Sequence, residues 1–313
     1  MGTKNEQDKV TENVLDNGTF NKAEALKKKE FRANQRNLLK DFLLTKKLEG
    51  CSMETIRDYH DKISLLIDWA KKDLREMTTK DIKEYLYHYQ DTHKVCKRSL
   101  DNIRLTLSSF YQFLEDEDMI TKNPVRKIRK IKYEEIIRPP FTDEELELIR
   151  QNVRTLRDLC IVDLLYSTGM RISECISLNI EDINFTKREI IVLGKGGRER
   201  ICYFNAKTKI EVLKYLNLRG DDNPALFVSM RYPFNRLKKG GVEHMLKDIE
   251  ERSGVKNIHP HRFRRTLATN LLSKGMTLEQ VQRILGHKKI ETTLIYANIN
   301  QDVTKINHQK FTY

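Results

Sequence analysis

Between residues 31 and 121 the chain contains no proline, and three of its six prolines then crowd into residues 122–141. A proline-free run leaves every backbone donor available, which is what a succession of unbroken helices requires. Within that run apolar side chains recur at helical spacing: Leu38, Phe42 and Leu43, then Ile63, Leu66 and Ile67, then Leu105, Phe110 and Phe113. Ser52 ahead of METIRDYHDKISLLIDWAKK, with Glu54 in the first turn, marks one helix start, and Thr78 or Thr79 ahead of KDIKEYLYHYQ marks another. The spacing predicts a small helical bundle over residues 31–121.

The proline cluster ends the bundle and, at 313 residues, the chain is long enough for a second core. The segment KNPVRKIRKIKYEEIIRPPF carries seven Lys/Arg against two Glu between Lys122 and Arg138, and reads as a basic linker over 122–140. Composition leaves open whether it tracks a phosphate backbone or is a solvated connector. Residues 1–30 are polar and poor in large aliphatics, and read as an N-terminal extension.

Residues 141–313 form the predicted second domain. Thr142 with Glu145 three residues on is a capping box, LRDLCIVDLLYS runs as a helix to Gly169, and another helix begins near Arg171. The period then changes: REIIVLGKGGRERICYF alternates and is β-branched on either side of Gly194–Gly197, predicting a β-hairpin with a basic turn. LFVS at 226–229 is a further strand candidate. From Gly241 onward the helical pattern returns, with Thr277 and Gln280 forming a second capping box. The fold class is therefore mainly α with a small antiparallel β-sheet, an α+β chain.

The charge balance narrows the partner. The net charge is +13, with residues 31–130 at twenty-one Lys/Arg against sixteen Asp/Glu and residues 131–313 at thirty-one against twenty-three. A basic balance in both predicted domains points to a polyanion, with nucleic acid leading, since Lys and Arg displace counterions from phosphates. Five scattered cysteines without a CxxC suggest neither a disulfide framework nor a zinc knuckle. No stretch has the apolar length of a membrane helix and the N-terminus lacks a signal-peptide core, so the reading is of a cytoplasmic protein with no membrane partner.

Four short stretches carry chemistry. In HPHRFRRTLATN, His261 and Arg264 lie one helical turn apart, and together can hold an anion and exchange a proton. In STGMRISE, Gly169 permits the turn that sets Arg171 at a helix start, where the negative partner it needs is Glu174 at i+3, a phosphate, or both with Glu174 orienting the arginine. Lys195 sits at the Gly-rich hairpin tip, which is not a Walker loop; such a lysine is a solvated residue or a mobile proton donor. LGHKKIETTLIY holds His287 nine residues before Tyr296. A metal reading would enlist His244, His259, His261 and His287, but no Cys or carboxylate completes a zinc-like spacing, and no metal or other cofactor is expected.

Taken together and in this order, STGMRISE, GKGGRER, HPHRFRRTLATNLL and LGHKKIETTLIY resemble the tyrosine recombinase, or phage integrase, family, closest in style to its Xer-type members, over residues 31–300. The resemblance implies a helical core-binding, SAM-like domain and a catalytic domain clamped around duplex DNA. It implies that Tyr296 is the nucleophile and that Arg171 and Arg264 bind the scissile phosphate. Lys195 would protonate the leaving 5′ oxygen, His261 would assist proton removal from the tyrosine, His287 would hydrogen-bond the phosphate, and Glu174 would support the site. Arg265 departs from the pattern, since many Xer-type members have His there; it is not among the catalytic set.

The implied activity is site-specific cutting and rejoining of double-stranded DNA through a 3′-phosphotyrosyl intermediate, without metal or ATP. The implied assembly is a homotetramer on paired DNA sites, monomeric or dimeric when free, with accessory DNA-bending or directionality proteins as further partners. The tail after Tyr296 is expected to dock into a neighbouring subunit. Two other readings stand beside it: a type IB topoisomerase-like relaxing enzyme, and a DNA-binding regulator with an inactive pocket.

Overall fold

The computed structural model describes residues 30–134, 139–194 and 199–297. The chain divides into two compact units, Met1–Glu135 and Ile136–Tyr313. Each has its own buried apolar core.

The first unit is helical. Helix α1 covers 30–48 of the described residues, followed by α2 (Met53–Trp69), α3 (Thr79–His93) and α4 (Lys97–Asp116). Ser52 caps α2 by accepting from the Thr55 backbone N–H, and Thr78 with Asp81 forms a capping box on α3. Phe42 of α1 lies at the centre, with Tyr59, Phe110 and Phe113 rings 5.3–5.6 Å away. Burying such rings supplies most of the drive for helices whose isolated stability is marginal. Gln35 ties α1 to the turn before α3 by donating to Asp73 and accepting from the Leu74 N–H, both at 3.0 Å.

The chain leaving α4 stays on this unit for several residues. Val125 is buried, the Asn123 amide donates to the Ser108 carbonyl, and the Ile131 N–H donates to the buried Asp101 carboxylate.

The second unit opens on α5 (Asp143–Gln151), capped by Thr142 and Glu145, then α6 (Leu156–Thr168) and the short α7 (Ile172–Ser177). Three antiparallel strands follow in the order β1 (Ile183–Asn184), β2 (Glu189–Leu193), β3 (Glu199–Tyr203). The predicted hairpin is β2 and β3, in register from Glu189 opposite Tyr203 to Leu193 opposite Glu199. Its period-2 pattern puts Ile190, Val192 and Cys202 in the core and leaves Ile191, Leu193, Ile201 and Tyr203 exposed.

The strand expected at 226–229 does not form. Leu226 and Phe227 are fully buried, but the segment pairs only through single bridges, Ala225 with Asn179 and Val228 with Arg236. Pro224 before it and Pro233 beyond it bracket the segment with residues lacking a ladder donor. The β-like composition of these residues thus reflects burial rather than sheet pairing.

Helices α8 (Ala206–Leu218), α9 (Lys239–Ser253), α10 (Pro260–Ser273), α11 (Leu278–Leu285) and α12 (Glu291–Ala297) follow among the described residues. Helix α10 packs against α6, α11 and α12, and β3 packs against α11. Arg262 fastens the start of α10 to the start of the unit, donating to the carbonyls of Pro139 and Pro140 and to Glu145. Among the described residues no helix is long and apolar enough to cross a membrane.

Candidate active site

Helix α6 ends at Gly169, whose φ of +61° is a left-handed conformation that glycine adopts at little cost. A β-carbon there would lie 2.8 Å from Leu267 Cδ2 and 3.0 Å from Leu285 Cδ2, so close packing of α10 and α11 also demands glycine. The turn delivers Arg171 to the cap of α7. Its backbone N–H donates to Glu174 Oε2 at 2.7 Å and its guanidinium to Oε1 at 2.9 Å. Glu174 itself is buried, while the Arg171 side chain keeps 32% of its exposure.

Arg264 enters from α10 and is 3% exposed. Its two terminal nitrogens donate to the Gly169 carbonyl at 2.6 Å and the Leu285 carbonyl at 2.5 Å. These two carbonyls close α6 and α11, so one guanidinium joins three helices while satisfying acceptors that helix ends leave free. His261 sits one turn earlier on α10, exposed where Arg264 is buried.

His287 follows the αL cap of α11 at Gly286, and its Nδ1 lies 2.8 Å from the hydroxyl of Thr293, which is fully buried. The Gln282 amide donates to the His287 carbonyl at 3.0 Å, holding the turn. Tyr296, one turn beyond Thr293 on α12, has its ring 5.9 Å from that of His287. Its ring also packs on a small apolar cluster of Ala268, Leu272, Val281 and Leu285.

Burial and guanidinium charges together set the electrostatics. Burial, and then the charges of Arg264, Arg171 and Arg200, push the His287 imidazole down to about 4. Partial desolvation, with Arg264 and Arg171 next, also lowers His261. Burial and Arg171 bring Arg264 down to about 10, still far above neutral, so it stays charged. Burial alone would raise the Glu174 carboxyl, but the Arg200 guanidinium and the Arg171 backbone N–H outweigh it and hold the group at about 2. At neutral pH the site therefore combines charged guanidiniums, a carboxylate and neutral imidazoles, an arrangement that attracts an anion.

The structure brings Arg171, Glu174, Arg264, His287 and Tyr296 together, with His261 near enough to feel the same charges. Lys195 lies outside the described residues. Two residues were missed by sequence reasoning. Arg200 on β3 binds Glu174 through both terminal nitrogens, at 2.8 and 2.7 Å. Its phase with Cys202 along the strand was the available signal, since both fall on the inward parity. Thr293 was the other, and nothing in its spacing singles it out. Among the described residues no group of three or more His, Cys, Asp or Glu side chains could hold a metal ion.

Comparison with known proteins places the chain. The model of the phage integrase family matches residues 114–302, and that of the phage integrase N-terminal SAM-like domain matches residues 38–121. The tyrosine recombinase XerC of Staphylococcus aureus is 32% identical over 280 residues, covering 85% of this chain and 93% of its own. The XerC of Staphylococcus saprophyticus is 33% identical over 270 residues, covering 82% and 90%. Among solved structures, the XerH site-specific recombinase bound to a palindromic difH substrate superposes with a TM-score of 0.69 at 19% identity, covering 86% of this chain and 83% of that one. A lambda integrase dimer bound to a COC′ core site gives 0.68 at 23% identity, covering 83% and 76%. These two likenesses concern the fold. The sequence matches go further, and by them the chain belongs to the phage integrase family, as a Xer-like site-specific tyrosine recombinase that breaks and rejoins DNA.

Proposed function

We propose that Tyr296 is the nucleophile with which this enzyme cuts duplex DNA, in a 3′-phosphotyrosyl exchange. The observation that carries the reading is the convergence on Tyr296: the tilted His287 ring lies 5.9 Å from its own, and the buried Arg264 and half-buried Arg171 charge the same spot. A tyrosine hydroxyl has a free pKa near 10 and attacks poorly at neutral pH without such surroundings.

In this mechanism the Tyr296 oxygen attacks the scissile phosphorus and its proton passes to His261. The bond from phosphorus to the 5′ oxygen breaks, and Lys195 gives that oxygen a proton so that it leaves as a hydroxyl. Arg171 and Arg264 hold the non-bridging oxygens, whose charge grows in the pentacovalent transition state, so their stabilisation is greatest there. His287 donates to the phosphate from the ring nitrogen that Thr293 does not occupy. The phosphotyrosyl bond keeps the energy of the diester, and attack by the 5′ hydroxyl of another strand reverses the step without ATP or metal.

The substrate is double-stranded DNA, consistent with the net charge of +13. The working assembly is a homotetramer on two paired sites, monomeric or dimeric when free, with DNA-bending or directionality proteins selecting the outcome. The lambda integrase tetramer bound to a Holliday junction supports this by analogy. A duplex carrying a nick beside the cleavage point tests the chemistry, because the short 5′ product diffuses away and strands the covalent complex. Wild type is expected to accumulate a protein-DNA adduct, and Tyr296→Phe to lose it by at least about a thousandfold while still binding the duplex. An adduct that persists in Tyr296→Phe would move the nucleophile elsewhere.

A further inference from the structure

Glu174 is saturated. Its Oε1 accepts from the guanidiniums of Arg171 and Arg200, and its Oε2 from the Arg171 backbone N–H and the other terminal nitrogen of Arg200. The two arginines are not equivalent. Arg200 has an 11% exposed side chain behind the carboxylate, whereas Arg171 is 32% exposed. Arg200 also reaches the last turn of α11: its Nε donates to the Ile284 carbonyl at 3.3 Å. It fills the space at Gly286, where a β-carbon would lie 2.7 Å from Arg200 Cδ.

The charge count gives this arrangement a purpose. An isolated Arg171–Glu174 pair is neutral and would present a phosphate with no net attraction. Adding the Arg200 guanidinium on the far side of the carboxylate restores a net charge of one, and the exposed member of the triad is the one that faces outward. A buried carboxylate also needs such a partner, because removing one member of a buried ion pair leaves an uncompensated charge.

Building on the phosphoryl-transfer reading above, we propose that Arg200 is a positioning residue that cancels the charge of Glu174, so that Arg171 meets the scissile phosphate as a full cation in a fixed orientation. It acts through Glu174 and not on the DNA. Because it stands on β3 and touches the backbone just before His287, it also ties that strand and that turn to Arg171. Lysine is an incomplete substitute: it retains the charge but cannot donate to both carboxylate oxygens in the fork geometry.

Single-turnover cleavage of the nicked duplex, with duplex affinity measured alongside, tests the assignment. Arg200→Gln is expected to slow adduct formation about a hundredfold, the scale of a small misplacement in an active site, with duplex affinity changed less than threefold. The discriminating measurement is the double variant Arg200→Gln/Glu174→Gln, in which no carboxylate remains to cancel Arg171. It is expected to cleave at least about tenfold faster than Arg200→Gln alone. A purely structural role predicts the opposite, since the double variant removes more of the network. If Arg200→Gln does not fold, Arg200→Lys is expected to fold and to cleave within about tenfold of wild type, because the compensating charge persists. Wild-type cleavage by Arg200→Gln, a double variant no faster than the single, or a folded Arg200→Lys slowed a hundredfold overturns the proposal. Absence of any adduct with wild type would instead refute the phosphotyrosyl reading itself.

Discussion

His287 Nδ1 and Thr293 Oγ1 are 2.8 Å apart, and Thr293 is completely shielded from solvent. A neutral imidazole has one N–H and one lone pair, so whichever role the hydroxyl takes fixes the role left to the other ring nitrogen. With the His287 pKa near 4, the neutral ring is the form present at physiological pH. The orientation of the threonine hydroxyl is thereby coupled to the tautomer of the ring beside Tyr296.

Replacing Thr293 by valine keeps the shape and deletes the hydroxyl. The Nδ1 loses its partner in a partly buried place, and stability is expected to fall by about 1–3 kcal/mol in urea denaturation. Adduct formation on the nicked duplex is expected to slow about tenfold to a hundredfold, with Thr293→Ser close to wild type. Equal rates for valine and serine would remove Thr293 from the site.

Stability should depend on pH in two separate windows. His287 is depressed from about 6.5 to about 4, so between these values the unfolded chain binds a proton that the folded chain refuses. Its contribution is complete above 6.5 and is lost as pH falls towards 4, and because the ring is partly exposed, solvent screening holds that loss to about 1–2 kcal/mol. His261, also lowered, adds to the same upper window. Glu174 is depressed from 4.5 to about 2, so its contribution is lost only in the lower window. Denaturant midpoints taken from pH 7 down to 3 check this: His287→Asn is expected to reduce the loss in the upper window to the part His261 contributes, and to leave the lower one. A curve unchanged in His287→Asn would mean that the imidazole titrates normally.

Gly169→Ala asks for a left-handed residue with a β-carbon and pushes on Leu267 and Leu285. The conformational part alone costs about 1–2 kcal/mol. Because the Gly169 carbonyl also receives Arg264, a shifted turn moves that guanidinium. The expected outcome is a lowered melting temperature together with slowed cleavage, read by calorimetry and adduct formation. A variant as stable and as fast as wild type would show that the turn tolerates alanine.

The helical bundle was legible from the proline-free run and the spacing of Phe42, Ile63, Leu66 and Phe110, because amphipathic periodicity is a local property that burial then rewards. Capped helix starts at Ser52, Thr142 and Thr277, and one at Thr78 or Thr79 that the structure places at Thr78, were legible for the same reason: a cap is completed within three residues. The alternation around the Gly-rich tip announced the hairpin. What misled was LFVS, since a short apolar run is equally at home in a buried irregular segment, and only its neighbours decide whether it pairs.

The residue types of the site, their order and their resemblance to a family were written in the chain, because arginine, histidine and tyrosine carry their chemistry with them. Their environments were not. Arg264 and His261 lie three residues apart on one helix, yet tertiary packing buries one and exposes the other. Glu174 draws its second guanidinium from a strand 26 residues away, and Thr293 meets His287 across the turn between α11 and α12. Charge state and orientation arise from burial and from contacts between separate elements, and those quantities exist only once the chain has closed on itself.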